Sequence, residues 1–158
     1  FEILSSLPSY SAEQKLNLVQ LFAKRSGADG LIGGQVIDLL IEGKRISWSI
    51  LQQMHHGKTA ALISAALEAG GILGNASDQD MQLLYKCGQK IGLGFQIVDD
   101  LLDVEEENKT TAVTLLGKIQ AKQLAENLLK EALEQLNQLS CPAPLIQELL
   151  YKMIHRSI

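Results

Sequence analysis

The sequence predicts an all-α protein, and two features of its 158 residues support that prediction. Leucine and alanine, which favour helices, dominate the composition, whereas aromatic residues make up 4% and no β-branched run is left to form a strand. Apolar residues also recur at helical spacing behind capping signals. The length suits one domain with its own core.

The first predicted helix follows the capping box Ser11-Ala12-Glu13-Gln14 and ends at Gly27. The second starts after Asp29, runs to Glu42 and ends at Gly43. Its interior pair Gly33-Gly34 costs helix stability, about 1 kcal/mol per glycine relative to alanine. We therefore expect another backbone, or a ligand, to approach closely at this pair.

A third helix begins near Ser47 and is interrupted at His56-Gly57-Lys58-Thr59, before an apolar helix from Ala60 to Ala69. The pairs Gly70-Gly71 and Gly74-Asn75 then predict a loop.

Two long helices and a final one make up the rest of the chain. Ser77-Asp78-Gln79-Asp80 caps the first, which extends to about Val104. Its apolar stripe consists of Leu84, Ile91, Phe95, Val98 and Leu102. Thr110 or Thr111 opens the second long helix, which ends at Cys141-Pro142. The final helix carries Leu145, Leu149 and Met153.

Charge and hydropathy exclude two classes of partner. Lys and Arg number 14 against 18 Asp and Glu, a formal net charge of −4, and no basic stripe follows a phosphate backbone, so no nucleic acid is expected. The least charged stretch, 59–77, contains Glu68 and several glycine and polar positions, so no membrane span is expected. Cys87 and Cys141 lack zinc-site spacing and predict free thiols in a reducing cytoplasm.

The strongest local signal for chemistry is the run Asp99-Asp100-Leu101-Leu102-Asp103. On a helix its three carboxylates share one wedge of surface, near the negative end of the helix macrodipole, so a cation should compensate them. Mg²⁺ takes acid oxygens together with water and phosphates. The alternative is a solvated acidic helix end. Gln96, one turn earlier on the same face, favours a substrate with a phosphate head and a hydrocarbon body, although alone it would be an ordinary surface glutamine.

Two weaker patterns have an ordinary explanation as well as a functional one. Gln35, Asp38 and Glu42 form a polar stripe, which is either a solvent face or the wall of a cavity. Lys58-Thr59 lies at a helix interruption, where a cation and free backbone groups suit a phosphate. Lys109 follows the acidic run, and neither lysine is specific alone. The histidines make no metal spacing and receive no role.

Taken in order, these segments resemble the C-terminal half of a trans-isoprenyl diphosphate synthase, a member of the polyprenyl synthetase family. The resemblance covers nearly all of the chain. Its matching words are Gly33-Gly34-Gln35 with Asp38-Leu39, Glu42-Gly43-Lys44, Lys58 to Ile63, Gly92 to Val104, and Lys109-Thr110-Thr111 running to Leu115-Leu116-Gly117. The second of these words is most similar to bacterial short-chain enzymes of the farnesyl diphosphate synthase type.

The resemblance implies an antiparallel helix bundle of the isoprenoid synthase type, with residues 1–158 as the C-terminal part of a single domain. That bundle is incomplete, because the family's N-terminal helices, its first aspartate-rich motif and the following arginines are absent. The family also has a longer lid where this chain has only 104–109, so we expect a lid loop to be missing there. The start at Phe1 rather than Met favours loss of residues over natural design.

The resemblance also implies roles for the charged residues. Asp99, Asp100 and Asp103 match the family's second aspartate-rich motif, whose acids help to hold Mg²⁺ on an allylic diphosphate. Lys58 and Lys109 match lysines that bind the diphosphate leaving group.

Polar residues acquire roles in the same way. Thr59 and Gln96 match groups whose oxygens face the allylic carbocation. Gln35 matches a cavity glutamine, and Asp38 a neighbouring supporting acid.

The implied activity is Mg²⁺-dependent condensation of isopentenyl diphosphate with dimethylallyl or geranyl diphosphate, by ionisation, condensation and elimination. The expected product is farnesyl diphosphate, and the expected form is a homodimer in a bacterial cytoplasm. Two alternatives remain open: a catalytically incompetent fragment or non-catalytic subunit that binds isoprenoid diphosphates, and a helical bundle whose acidic helix end is only surface. The 158-residue piece alone is expected to be inactive, because one half of the metal clamp is absent.

Overall fold

The computed structural model describes residues 1–103 and 110–154, and within those ranges it contains helices and no strand, which confirms the all-α prediction. Lys109 and the expected lid between 104 and 109 lie outside the described residues. The elements are α1 Glu2–Ser5, α2 Ala12–Ser26, α3 Leu31–Ile41, α4 Trp48–His55, a π-helical turn His56–Ala60, α5 Ala61–Leu73, α6 Asp78–Leu102, α7 Ala112–Leu116, α8 Lys118–Leu136 and α9 Pro144–Ile154.

Helix α6 is the centre of the bundle. It packs along α5 and along α8, and its short connection to α5 makes those two helices antiparallel. Its apolar residues belong to two buried clusters. The first is Leu51, Met54, Leu93, Ile97, Val98, Leu101, Ala112, Ala121 and Ala125. The second is Cys87, Ile91, Leu129, Ala132, Leu136 and Leu150. Each helix of the described ranges is too short or too polar to cross a bilayer.

The capping signals in the sequence begin the helices that they predict. The Gln14 N–H donates to Ser11 Oγ and the Ser11 N–H to Gln14 Oε1, both at 3.1 Å, so the capping box of α2 is complete. The Asp80 N–H donates to Ser77 Oγ at 3.1 Å and starts α6. Gly43, with a φ of +68°, follows α3.

Close helix approach at Gly33-Gly34 is confirmed. A methyl group on Gly33 would lie 1.8 Å from the Ala28 carbonyl oxygen. One on Gly34 would lie 2.1 Å from the Lys58 backbone nitrogen and 2.5 Å from the Gly57 carbonyl carbon. Gly34 therefore lets α3 rest directly on the backbone of the π-helical turn, whereas Gly33 lets the start of α3 lie close to the backbone of Ala28.

The loop predicted at Gly70-Gly71 is wrong, because α5 continues to Leu73. Gly71 lies where α5 packs against α6 rather than in a turn: an added methyl carbon would lie 2.5 Å from Met81 Sδ and 2.8 Å from Leu84 Cδ1. The turn falls at the second predicted pair, where Asn75 has a φ of +52°.

The long helix expected from Thr110 or Thr111 is broken after five residues. Thr111 caps α7, but Gly117 adopts a φ of +81°, outside helical geometry, and separates α7 from α8. Its own N–H still bonds the Val113 carbonyl at 2.9 Å and closes the last turn of α7.

The apolar stripe of the final helix is also corrected. Leu150 is fully buried, whereas Leu145 is 80% and Leu149 58% exposed. In α2, Leu18 is buried, whereas Leu16, two residues earlier, is 57% exposed. Spacing alone cannot choose between adjacent apolar faces of a short helix.

Candidate functional site

The helix break predicted at 56–59 is confirmed, and it is a π-helical turn between α4 and α5. A π-helical turn inserts one residue into an otherwise continuous helix and changes the direction of the side chains that follow. Lys58 and Thr59 lie in this turn. Gly57 allows it to lie against α3, because a methyl group there would come within 2.8 Å of Gly34 Cα.

Lys58 reaches across to α3. Its Nζ donates to Asp38 Oδ2 at 2.7 Å, and the two side chains are 37% and 28% exposed. Ion pairs with this much contact with water contribute little to stability, about 0–1 kcal/mol. An anionic ligand could therefore take a share of the Lys58 ammonium at low cost.

Thr59 reaches in a different direction, towards α6. Its Oγ1 donates to Gln96 Oε1 at 2.8 Å in a partly buried position. Two oxygen atoms are thus held side by side near the lysine. Oriented oxygen dipoles in a partly dry site stabilise positive charge in a ligand.

The sequence analysis expected the three acids at the end of α6 to share one wedge of surface, but in the structure they do not. Asp103 ends the helix and is exposed, and Asp99 is half-buried. Asp100 is buried, because its carboxylate turns inwards and accepts the Ala112 N–H at 2.7 Å. Its Oδ2 also lies 3.6 Å from Nε2 of the buried His55.

A metal ion at these acids would need several ligands that converge on one point. Among the side chains that the structure describes, no three His, Cys, Asp or Glu groups converge in an arrangement that could hold one. Asp99 and Asp103 nevertheless place two carboxylates four residues apart at one helix end. Mg²⁺ in proteins is commonly held by one or two carboxylates, with water and substrate phosphates as its other ligands. The donor set fits Mg²⁺ bound together with a phosphorylated ligand.

The remaining predicted residue of α3 lies beside this arrangement. Gln35 is exposed, one turn before Asp38 on the same helix. The structure therefore joins Lys58 to Asp38 and Thr59 to Gln96, and it separates Asp100 from the other acids.

Sequence reasoning missed His55, to which it gave no role. It lies one turn before Lys58, is 2% exposed and faces Asp100. A histidine flanked by Leu51 and Met54 at helical spacing is a signal that it points into the core.

A cavity of about 520 Å³ behind the π-helical turn was also missed. Arg25 lines it: Nη2 donates to both Glu68 oxygens, at 2.8 and 3.1 Å, and the guanidinium lies 4.5 Å from the Tyr85 ring centre. Burial lowers the pKa of His56 in the same cavity, and the neighbouring His55 adds to this effect although a hydrogen bond with Gln89 opposes it.

The fold and the site together define an all-helical protein of the isoprenoid synthase type. Solved structures of that type are close: an FPP/GFPP synthase from Zymomonas mobilis aligns with a TM-score of 0.90 and 33% identity, covering 96% of this chain and 55% of the other. A geranyltransferase from Helicobacter pylori complexed with magnesium and isoprenyl diphosphate aligns with a TM-score of 0.81 and 30% identity. That alignment covers 99% of this chain and 56% of the other.

Sequence comparison identifies the family. The polyprenyl synthetase family model matches residues 1–143, and the chain belongs to that family. Farnesyl diphosphate synthase of Haemophilus influenzae is 39% identical over an alignment of 155 residues, and the match covers 88% of this chain and 52% of that protein. The Escherichia coli enzyme of the same name is 34% identical, with coverages of 89% and 52%. The chain thus spans about half the length of the curated relatives it matches, and the resemblance found in its motifs is confirmed.

Proposed function

We propose that the protein carrying this chain is a Mg²⁺-dependent prenyltransferase. It condenses isopentenyl diphosphate with an allylic diphosphate, dimethylallyl or geranyl, and forms farnesyl diphosphate. The observation that carries the proposal is the meeting of two polar pairs at the π-helical turn, Lys58 with Asp38 at 2.7 Å and Thr59 with Gln96 at 2.8 Å. The names of the bacterial relatives support the product.

In this proposal the lysines handle the diphosphate. The Lys58 ammonium leaves Asp38 in part and neutralises the oxygens of the leaving group as the allylic C–O bond ionises. Lys109, beyond the described residues, is proposed to bind the same group. Bound Mg²⁺, held by Asp99 and Asp103, would supply further positive charge to that diphosphate.

The oxygens of Thr59 and Gln96 then face the allylic cation, and Gln35 with Asp38 lines the same side of α3. Their dipoles stabilise positive charge without reacting with it, until the double bond of isopentenyl diphosphate attacks and a proton is lost. Exclusion of water by the surrounding helices would protect the cation from hydrolysis.

The test is an assay of the full-length protein with isopentenyl and geranyl diphosphates. Lys58→Ala should lower kcat/KM by about 100-fold or more, because a positive charge at the leaving group is lost. Lys86→Ala is the matched control, since Lys86 is an exposed lysine ten residues, or about 15 Å along α6, from Gln96. Equal rates for Lys58→Ala and the wild type would refute the assignment.

A second candidate is a non-catalytic protein that binds isoprenoid diphosphates, either a regulatory subunit or an incompetent fragment. The observation that favours it is the inward turn of the Asp100 carboxylate, which accepts the Ala112 N–H and leaves Asp99 and Asp103 as the acids of the run outside the core. Calorimetry distinguishes the two: tight Mg²⁺-linked diphosphate binding without product formation by the full-length protein would support the second candidate.

We also propose a homodimer, supported by an exposed apolar face on α3. Its members recur at helical spacing and are 48–64% exposed: Ile32, Val36, Leu39 and Leu40. Contiguous exposed apolar patches commonly mark interfaces. Val36→Lys should shift the mass in light scattering from dimer to monomer, whereas Ile119→Lys, at a position on α8 that is 75% exposed, should not. A dimer mass for Val36→Lys would refute this interface. The cytoplasmic location stays a prediction.

A further inference from the structure

The carboxylate of Asp100 is committed to the protein interior. Its side chain is 6% exposed and lies among buried neighbours that include Leu101 and Ala112. Oδ2 accepts the Ala112 N–H at 2.7 Å. Ala112 opens α7, so this N–H has no partner within its own helix, and a carboxylate is the favoured acceptor at that end of a helix.

His55 faces the same carboxylate from α4. Its Nε2 lies 3.6 Å from Asp100 Oδ2, and the side chain is 2% exposed. Neither ring nitrogen has a hydrogen-bond partner in the part of the chain that the structure describes. Because a buried polar group without a partner is costly, the nearby carboxylate is the group that makes this position tolerable for histidine.

Asp100 therefore connects three segments. His55 lies one turn before Lys58 on the segment that carries the site, Asp100 lies next to Asp99 on α6, and Ala112 begins α7. A change at the buried carboxylate would move the lysine and the acids of the site relative to each other without contact with a ligand.

We infer that Asp100 and His55 are positioning residues, which fix the end of α6 against the π-helical turn and α7, and that Asp100 is not itself a metal ligand. This inference rests on the proposed function. Asp99 and Asp103 then provide the carboxylates for Mg²⁺, a number that suffices when water and phosphate oxygens complete its shell.

Conservative and disruptive variants of Asp100 in the full-length protein separate the two roles. Asp100→Asn keeps an oxygen that can accept the Ala112 N–H but removes the charge that a metal ligand needs. Asp100→Leu removes both. Asp99→Asn is the matched control for loss of one carboxylate on the same helix.

The first measurement is Mg²⁺ affinity in the presence of inorganic diphosphate, by calorimetry. We expect Asp99→Asn and Asp100→Leu to weaken it by about tenfold or more, and Asp100→Asn by less than about threefold. Loss in Asp100→Asn equal to that in Asp99→Asn would show that Asp100 is a ligand and overturn the inference.

The second measurement is hydrogen exchange at the Ala112 amide, which depends on no ligand. Protection should persist in Asp100→Asn and fall by about tenfold or more in Asp100→Leu, because only the latter breaks the bond. In a double-mutant cycle, His55→Ala and Asp100→Leu should be non-additive in stability. Additive effects, or unchanged exchange in Asp100→Leu, would overturn the inference. Wild-type protein that binds no Mg²⁺-diphosphate would instead refute the proposed function. The exchange data would still test whether Asp100 holds the start of α7.

Discussion

Replacement of Gly34 by alanine tests whether α3 depends on direct backbone contact with the π-helical turn. The added methyl carbon would lie 2.1 Å from the Lys58 nitrogen, whereas real contacts of this kind are essentially never under 3.0 Å. The atoms that block it belong to the backbone and cannot rotate away. The two helical segments must therefore separate by about 0.9 Å.

The size of the effect follows from two opposing terms. Overpacking of this kind costs about 1–3 kcal/mol. Alanine in place of glycine inside a helix returns about 1 kcal/mol. The free energy of unfolding of Gly34→Ala should therefore fall by up to about 2 kcal/mol relative to the wild type. The same separation displaces the π-helical turn that carries Lys58 and Thr59, so diphosphate binding should weaken as well.

Gly70→Ala is the matched control. Gly70 also lies inside a helix, but nothing is within 4 Å of its added methyl group, so only the favourable term remains, about 1 kcal/mol. Urea unfolding of both variants and of the wild-type protein measures the difference. The reasoning is refuted if Gly34→Ala is as stable as Gly70→Ala and binds diphosphate as the wild type does.

Three further predictions concern stability and thiol reactivity. Hydrogen bonds from the α8–α9 connection lower the pKa of Asp80, so its ionised form stabilises the protein at neutral pH and this stabilisation is lost as the pH falls through the lowered value. Asp80→Asn should melt below the wild type at pH 7, and the gap should narrow below about pH 4; a constant gap would contradict this. Burial raises the pKa of Cys87 to about 12, whereas Cys141 is exposed, so a disulfide reagent should label one thiol in native protein and two after unfolding. Fast labelling of both in native protein would contradict the buried position. Arg25→Met should cost about 2 kcal/mol in urea unfolding, because it leaves Glu68 buried without its cation, and Glu68→Gln in the same protein should recover part of this; no recovery would contradict the pairing.

The sequence predicted the helices whose ends have local chemical causes. The capping box at Ser11 and the Ser77 cap act through neighbours three residues away, so the pattern contains the whole interaction. The loop at Gly71 and the unbroken helix through Gly117 were predicted incorrectly, because glycine occurs in turns, at close helix contacts and at helix breaks alike. The packing of α5 against α6 at Gly71 depends on residues distant in the sequence. The φ of +81° at Gly117 depends on where the chain must turn between α7 and α8. A local sequence pattern contains neither kind of information.

The site shows the same division. The resemblance grouped Thr59 with Gln96, whose side chains lie 2.8 Å apart, but it placed Asp38 beside Gln35 and did not foresee its ion pair with Lys58. The angles of a helical wheel grouped Asp100 with the other acids. Such a wheel gives the angle at which each side chain leaves the helix, but not which side of the helix faces the core. The Ala112 N–H, twelve residues away, determines its environment.

One row of α6 explains why a π-helical turn is needed at the site. Residues four apart on a helix form a ridge, and a regular antiparallel partner would meet such a ridge with residues that are also four apart. The ridge of Gly88, Gly92, Gln96 and Asp100 instead meets, in order, Ser64, Ala60, Thr59 and His55. Ser64 and Ala60 are four residues apart, as a regular partner requires, but the next contact on the row is Thr59, adjacent to Ala60, where a regular helix would bring position 56 to Gln96. The break in spacing falls inside the π-helical turn His56–Ala60, and His55, four residues from Thr59, then meets Asp100. The turn thus lets a hydroxyl meet Gln96 while the imidazole one turn away still reaches the buried carboxylate.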